Sequence, residues 1–551
     1  MKDKVALKWI SSKFEGLRLA YAFLLFLSVL KGALTVFLAL AIKWIINVAE
    51  GTMQGNLVTY AIILIATSIL EVLSQMLMRY VREKIRCKLE VNVKNYVFSQ
   101  VLSKDYAKIT AYHSGDILNR IFSDTTVIAN HSVGILPELV LMITRLIGAV
   151  GVLIFLNPIF TVALVGCGTL VFLCASLFRN KIKTAHKRVQ HFDGKARSYM
   201  QESTANLLAV KVFNAEKTVS EKSTQLTKDY FDRKMKNEKL HIFAESGFSL
   251  FFSVTYAVAL VWGAFGIFAG TLDYGTVSAV LQLVVQVQVP LIRLSGVMPG
   301  YYSMLASAER LIEIENLPTS EKAEKIDDIE SFYKKFNGIA FKNVTFSYGR
   351  DAVIENAEFQ IEKGQFTVIR GISGIGKSTV LKLMLGVYRP NEGKVVFNTE
   401  DGMKPPQMVT GLFSYVPQGN MLFSGTLREN VCFVKPDASD EEIFAVLELT
   451  ESKEFVEQLP EGLETKVGEN GLGLSEGQIQ RLAVARALLT DAPVVLLDEA
   501  TSALDSKTEE KLLSSIRALG NKTVVLVTHK TAAYAYCDKI IEISDKKVEI
   551  K

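Results

Sequence analysis

Gly371-Ile372-Ser373-Gly374-Ile375-Gly376-Lys377-Ser378-Thr379 decides the reading of the chain. An apolar run, Phe366 to Ile369, precedes it and reads as a buried strand; Val380 to Leu385 follows and reads as the start of a helix. Strand, glycine-rich turn and helix in that order make a phosphate cradle. The glycines let the backbone curl until successive N–H groups point into one concavity, and the helix N-terminus adds partial positive charge. Lys377 is placed to reach the β- and γ-phosphates, and Ser378 to ligate Mg2+. The bland alternative is a turn before an ordinary helix, but the full G-x-x-x-x-G-K-S spacing is specific.

Downstream, Val494 to Leu497 is an apolar strand that ends in Asp498 and Glu499. A buried parallel strand that delivers carboxylates at its C-terminal end delivers them where such sheets bind ligands. Asp498 is suited to holding Mg2+, and Glu499 to polarising a water. Between loop and acids lies Leu474-Ser475-Glu476-Gly477-Gln478, just before the amphipathic Ile479–Leu489. Ser475 and Gln478 have the spacing of a capping box, so the modest reading is a well-capped helix. The sharper reading is a second helix N-terminus that offers its N–H groups and Ser475 to a phosphate. One cradle is already present, so a second points to a nucleotide held by another subunit. Upstream, Ile339–Ser347 and Val353–Ile361 alternate like paired strands. Tyr348 ends the first, either as a base-stacking aromatic or as an ordinary edge residue.

The other half has a different character. At 551 residues the chain is too long for one core; 49% of it is hydrophobic. Mean hydropathy is +0.24, high for a soluble protein. The apolar runs concentrate before residue 300, at about Leu17–Ile46, Leu57–Met78, Ser132–Phe155, Ile159–Phe178, Gly247–Ala269 and Thr276–Met298. Each is close to or longer than the ~20 residues that cross a bilayer, so six spans are expected. The first is too long for a signal-peptide core. Short connections near 49–56, 156–158 and 270–275 contain no Lys or Arg, whereas the long ones at 79–131 and 179–246 are basic and helix-compatible. The positive-inside bias places the long loops, both ends and the phosphate-binding half in the cytoplasm. Residues 1–15, with Lys2, Lys4, Lys8 and Lys13 around Trp9, Ile10 and Phe14, read as an amphipathic helix on the inner membrane surface. The loop tips near 106–118 and 206–216 are expected to contact the soluble domain.

Charged and amide residues inside the spans are either functional or helix–helix glue. Gln282, Gln286 and Arg293 fall within about 40° of one another on a helix, with Pro290 between them. Lys31, Glu71, Glu138 and Arg145 lie in other spans. The net charge of +5 gives no reason to expect a nucleic-acid partner, and the five cysteines form no metal spacing, which fits unpaired thiols in a reducing compartment.

The set Tyr348, Gly371–Thr379, Gln418 in Tyr415-Val416-Pro417-Gln418, Leu474–Gln478, Asp498-Glu499, Ser502-Ala503-Leu504-Asp505 and His529 resembles the ATP-binding cassette domain in order and spacing. With the six spans ahead of it, the whole chain resembles an exporter-type (type IV) ABC half-transporter. The resemblance implies a multidomain fold: an all-α six-helix transmembrane domain, then an α/β P-loop cassette. Its implied boundaries are an elbow helix at 1–15, the transmembrane domain at 16–310, a linker at 311–338 and the cassette at 339–551.

The resemblance also implies roles. ATP would contact Tyr348 at the adenine and Gly371, Ser373, Gly374, Gly376, Lys377, Ser378 and Thr379 at the phosphates. Gln418 resembles the glutamine that senses the membrane domain. Ser475, Gly477 and Gln478 belong to the signature motif facing a partner's ATP, and Asp505 lies at the dimer seam. Ser378, Gln418 and Asp498 would hold Mg2+. Glu499 looks like the catalytic base and His529 like the switch histidine. The loop tips look like coupling helices. Two positions depart from the usual pattern: Glu476 stands where Gly is usual, and Lys530 where Arg is frequent.

The implied function is ATP-driven export of a small molecule, lipid or peptide from the cytoplasm or inner leaflet by alternating access, by a multi-pass protein of the plasma membrane, in contact with lipid and with the cassette in the cytoplasm. A homodimer is favoured because Glu499, Ser475 and His529 are all present; a heterodimer stays open. An importer of siderophore type on the same scaffold is the alternative. The six spans argue against a soluble ABC ATPase acting on DNA or ribosomes.

Overall fold

The computed structural model describes the backbone of residues 2–320, 328–349, 351–406, 411–419, 422–468, 471 and 473–551. Side chains at 2, 163, 167–183, 186–187, 190, 240–241, 244–245, 248 and 290–296 lie outside the described set, and Arg293 is among them. The chain forms two compact units, Met1–Gln100 with Ser114–Asn316, and Val101–His113 with Leu317–Lys551.

The first unit is helical. Helix α1 spans Lys2–Ser12, α2 Arg18–Glu50, and α3 Leu57–Ser103. A four-residue helix at the tip, α4 (Tyr106–Ile109), belongs to the second unit. Helix α5 (Ser114–Asn119) continues through one π-helical turn, Arg120–Asp124, into α6 (Thr125–Leu156). Then come α7 (Pro158–Ala205), α8 (Leu207–Val212), α9 (Glu216–Phe268) and α10 (Tyr274–Glu315).

The boundaries have local causes. Gly51, at φ +83, closes α2 with its N–H on Val48 O. Asn157 caps α7 ahead of Pro158 at its first position. Asp273 accepts from the Thr276 N–H to start α10. The six expected apolar runs lie in α2, α3, α6, α7, α9 and α10. Among the described residues, four helical stretches are long and apolar enough to cross a membrane: Arg18–Glu50, Leu57–Ser103, Ser114–Leu156 and Ser249–Phe268. Most of the run at 159–178 lies outside the described side chains. Small residues let α2 and α6 close together: a Cβ on Gly32 would stand 2.8 Å from Thr144 Cβ, and one on Gly148 3.0 Å from Val36 Cγ2.

The second unit holds a six-stranded sheet in the order β12-β11-β3-β10-β9-β6 and a four-stranded sheet in the order β2-β1-β4-β5. The four-stranded one is antiparallel: β1 (Phe336–Ser347), β2 (Ala352–Glu362), β4 (Glu392–Thr399) and β5 (Gly402–Lys404). Helix α11 (Ile329–Lys335) leads into it. In the other, β3 (Phe366–Arg370), β6 (Phe413–Val416), β9 (Val494–Asp498), β10 (Thr523–Val527) and β11 (Lys539–Ser544) run parallel, and β12 (Lys547–Ile550) closes the edge antiparallel.

Every residue of β9 and β10 is buried, the mark of strands covered on both faces. One face packs with α12 (Lys377–Met384) against the antiparallel sheet. The other packs against α16 (Glu476–Leu489) and α17 (Ser506–Ala518). A small two-stranded sheet, β7 (Gly425–Thr426) with β8 (Lys466–Val467), and helices α13 (Leu427–Val431), α14 (Asp440–Leu449) and α15 (Lys453–Glu457) gather around a separate apolar cluster with α16.

Candidate functional site

The C-terminal ends of β3 and β9 bring the phosphate loop and the two acids together. The loop turns through Gly371 (φ +155), Gly374 (φ +80) and Gly376 (φ +112) before α12. Space as well as conformation demands glycine at its ends. A Cβ on Gly371 would lie 2.6 Å from Ile543 O, and one on Gly376 2.7 Å from Val353 Cγ1. Lys377 is buried, and its Nζ donates to Gly371 O (3.0 Å) and Ile372 O (3.2 Å). Its ammonium is also 3.8 Å from Glu499 Oε1.

Asp498 is 1% exposed. Ser378 Oγ donates to its Oδ1 (3.0 Å) and Tyr415 OH to its Oδ2 (3.3 Å). Burial pushes the Asp498 carboxyl above the usual carboxylate range, with Glu499 adding to the effect against those two hydrogen bonds. Burial, then the Asp498 charge, likewise raises the Tyr415 phenol. Glu499 adopts φ +51, a left-handed conformation uncommon for a side chain of its kind, and its N–H donates to Val527 O (3.0 Å). Gln418 Nε2 donates to Glu499 Oε2 at 2.6 Å. A hydroxyl, an amide oxygen and a buried carboxylate form the hard oxygen set that Mg2+ takes, and a carboxylate disfavoured by burial gains from a cation beside it.

Tyr348 is 56% exposed and joins the loop through its hydroxyl, 3.0 Å from Thr379 Oγ1. Ser475 and Gln478 form the expected capping box: Gln478 N–H donates to Ser475 Oγ (3.3 Å) and Ser475 N–H to Gln478 Oε1 (2.8 Å). Glu476 is exposed at the first turn of α16 with no left-handed φ, so its place needs no glycine for backbone reasons. A Cβ on Gly477 would come within 3.1 Å of Ala503 O, which places the signature helix hard against the 501–505 segment. Asp505 caps α17 through the Thr508 N–H (3.1 Å), a bond that holds its carboxyl low. His529 is exposed just after β10.

Comparison with known proteins matches residues 21–291 to the ABC transporter transmembrane region and 354–502 to the ABC transporter family. The putative export ATP-binding/permease protein of Rickettsia bellii is 31% identical over 477 residues, covering 83% of this chain and 81% of that one. The chain belongs to the ABC transporter family. It is also 36% identical over 365 residues to the mitochondrial iron-sulfur clusters transporter ATM1 of Saccharomyces cerevisiae, covering 65% of this chain and 52% of the relative. The chain spans about half the length of the first curated relatives it matches. A bacterial Atm1-family ABC exporter solved with ATP bound has the same fold, at TM-score 0.80 and 24% identity over 97% of this chain and 94% of that one.

In this ABC transporter several functional neighbours escaped the sequence reading. Lys530 holds the 501–505 segment: its Nζ donates to Thr501 O and Leu504 O (both 2.8 Å) and pairs with buried Glu509 at 3.2 Å. Gln480 grips the same segment through Ser502 Oγ (2.8 Å) and Ala503 N–H (3.0 Å). A lysine beside a histidine and a glutamine inside an amphipathic helix signal nothing locally. Helix α16 begins at Glu476, where the capping box of Ser475 and Gln478 places its first turn.

In the membrane half of the transporter, several half-buried polar side chains and buried Lys31 form one knot. Thr35 Oγ1 donates to Glu71 Oε1 (3.0 Å) and accepts from Arg145 Nη2 (3.3 Å). Gln286 Nε2 donates to Thr35 O (2.8 Å), and Lys31 Nζ to Gln75 Oε1 (3.2 Å). Four helices, α2, α3, α6 and α10, thus meet at Thr35. Glu138 instead lies 3.7 Å from Arg82. Gln282 makes no part of the knot as described, and the Arg293 side chain lies outside the described residues.

Proposed function

We propose that this ABC transporter hydrolyses ATP and couples hydrolysis to export of a small molecule, lipid or peptide across the plasma membrane, as a dimer of identical chains. The observation that carries the reading is the convergence of Lys377, Ser378, Gln418, Asp498 and Glu499 at the C-terminal ends of the parallel strands. Tyr348 takes the adenine, and Gly371, Ser373, Gly374, Gly376 and Thr379 offer the loop to the phosphates. Lys377 exchanges its loop carbonyls for phosphate oxygens.

Ser378, Gln418 and Asp498 would hold Mg2+, which neutralises phosphate charge when bound. Glu499 accepts a proton from water as the water oxygen bonds the γ-phosphorus and the bond to the β-phosphate oxygen breaks. His529 stands near the γ-phosphate. Ser475, Gly477 and Gln478 of one copy close on the loop of the other, with Asp505 at the seam. Each ATP then holds the closed pair until it is split. Residues 1–15 serve as the elbow, 16–310 as the transmembrane domain, 311–338 as the linker and 339–551 as the cassette, facing the cytoplasm. The relatives' names, export permease and exporter, favour export over siderophore-type import.

Mg2+-ATPase activity of the chain purified alone in lipid, beside Glu499→Gln, tests the reading. Activity that Glu499→Gln abolishes supports a self-sufficient homodimer. An inactive parent would remove the homodimer first.

A further inference from the structure

An aromatic chain runs from the proposed base site to the tip between α3 and α5. Tyr348 meets Tyr388 edge to face, with ring centroids 5.3 Å apart at 89°, and meets Phe346 at 5.0 Å and 87°. Tyr388 also packs on Phe346 at 5.5 Å, and it meets Tyr106 of α4 edge to face at 5.8 Å and 81°. Tyr388 follows α12 in the turn before β4 and is half-buried. Tyr348 leaves over half of its surface open.

The tip that carries Tyr106 has no slack. Lys104 forms an antiparallel bridge with Thr319. Asp105 N–H donates to Pro318 O (2.9 Å), Ser320 N–H to Ser103 O (3.0 Å) and Ser320 Oγ to Lys104 O (2.9 Å). Asp105 then caps α4 through the Lys108 N–H. A displacement of Tyr106 is therefore a displacement of the whole tip, which by sequence connects the helices flanking it.

We infer that Tyr388 is a positioning residue that passes base occupancy at Tyr348 to α4 through Tyr106. A base stacked on Tyr348 fixes the plane of that ring. Edge-to-face packing then fixes Tyr388, and Tyr388 fixes Tyr106. A triphosphate without a base fills the Gly371–Thr379 loop and leaves the aromatic chain unset. This rests on the nucleotide reading above and adds a role for the base, distinct from that of the phosphates.

Hydrogen exchange of the backbone at 104–110 tests it, on the full chain in lipid nanodiscs, with Mg2+ and either ATP or tripolyphosphate. ATP is expected to slow exchange about threefold or more, the factor one aromatic contact supplies. Tripolyphosphate leaves the rate unchanged. Tyr388→Leu should still bind ATP, read as a thermal shift, and lose the slowing; Tyr388→Phe should restore it. Tyr106→Leu provides the same loss should Tyr388→Leu fail to fold. Equal slowing by tripolyphosphate, or slowing that survives in Tyr388→Leu, overturns the relay alone. A parent chain with no ATP-induced thermal shift overturns the nucleotide reading and the relay together.

Discussion

Gln418 Nε2 donates to Glu499 Oε2 at 2.6 Å, so the second residue after β6 and the first after β9 hold one another. Glu499 is meanwhile kept in a left-handed conformation by its N–H bond to Val527 O. Such a conformation costs on the order of 1–3 kcal/mol and persists where surroundings over-determine it. The carboxylate is thereby aimed by backbone and amide together. Glu499→Gln should lower turnover by at least about a hundredfold, the range of a general base, and leave ATP binding intact. Gln418→Ala should lower turnover by a smaller factor with the Glu499 carboxylate still in place. A steady-state ATPase assay beside a nucleotide-induced thermal shift separates the two effects.

Burial raises the Asp498 carboxyl above its usual range, so the charged form weakens the fold as pH rises past about 4. Asp498→Asn removes that charge and keeps the shape. The variant should melt about 2 °C higher at neutral pH while losing turnover, a size typical of one stabilising change. The advantage should shrink as pH falls toward 4 and Asp498 takes up its proton. A melting temperature that drops at neutral pH would show that the Ser378 and Tyr415 bonds outweigh burial.

Lys530 neutralises Glu509, whose side chain is 2% exposed. Lys530→Ala leaves Glu509 buried with the Thr501 hydroxyl (2.7 Å) and should cost about 3 kcal/mol. The double variant Lys530→Ala with Glu509→Gln should recover part of that loss. Chemical denaturation of the three proteins decides it.

Gly32 and Gly148 permit the close approach of α2 and α6. Gly32→Val should cost about 1–3 kcal/mol by overpacking against Thr144. A fall in the fraction of monodisperse protein recovered from the membrane, relieved by adding Thr144→Ala, is the expected result.

Arg145 and Gln286 meet at Thr35 in the polar knot. Arg145→Gln should change turnover stimulated by a panel of amphipathic anions about threefold more than basal turnover, if the knot contacts cargo; an intramembrane charge is a functional candidate by default. Equal changes in both would make Arg145 a helix–helix tie.

Local patterns carried the strand–loop–helix of Phe366–Leu385, the acidic end of β9 and the capping box of Ser475 and Gln478, because each is written within a few adjacent residues. The six apolar runs were legible for the same reason. Contacts between distant segments were not. Nothing near Lys530 announces Leu504 O, nothing near Tyr388 announces Tyr348 and Tyr106, and the turn at Glu499 depends on β10. Lys31, Glu71, Glu138 and Arg145 look equivalent in sequence; their geometry divides them into Lys31, Glu71 and Arg145 near Thr35 and Glu138 near Arg82.

Residues 101–113 pack with residues 317–551, although the chain spends two hundred residues elsewhere between them. The cassette is therefore not a cartridge that can be lifted out by cutting once. Severed at Leu317, it leaves behind the segment that pairs with Thr319 and packs on Tyr388, and it emerges with unpaired backbone groups at 318–320 and a bare aromatic ring. During synthesis the order is reversed: the tip of α4 is made first and stays without its seat until Pro318–Ser320 and Tyr388 follow. A cassette that misfolds thus strands part of an earlier-made segment as well.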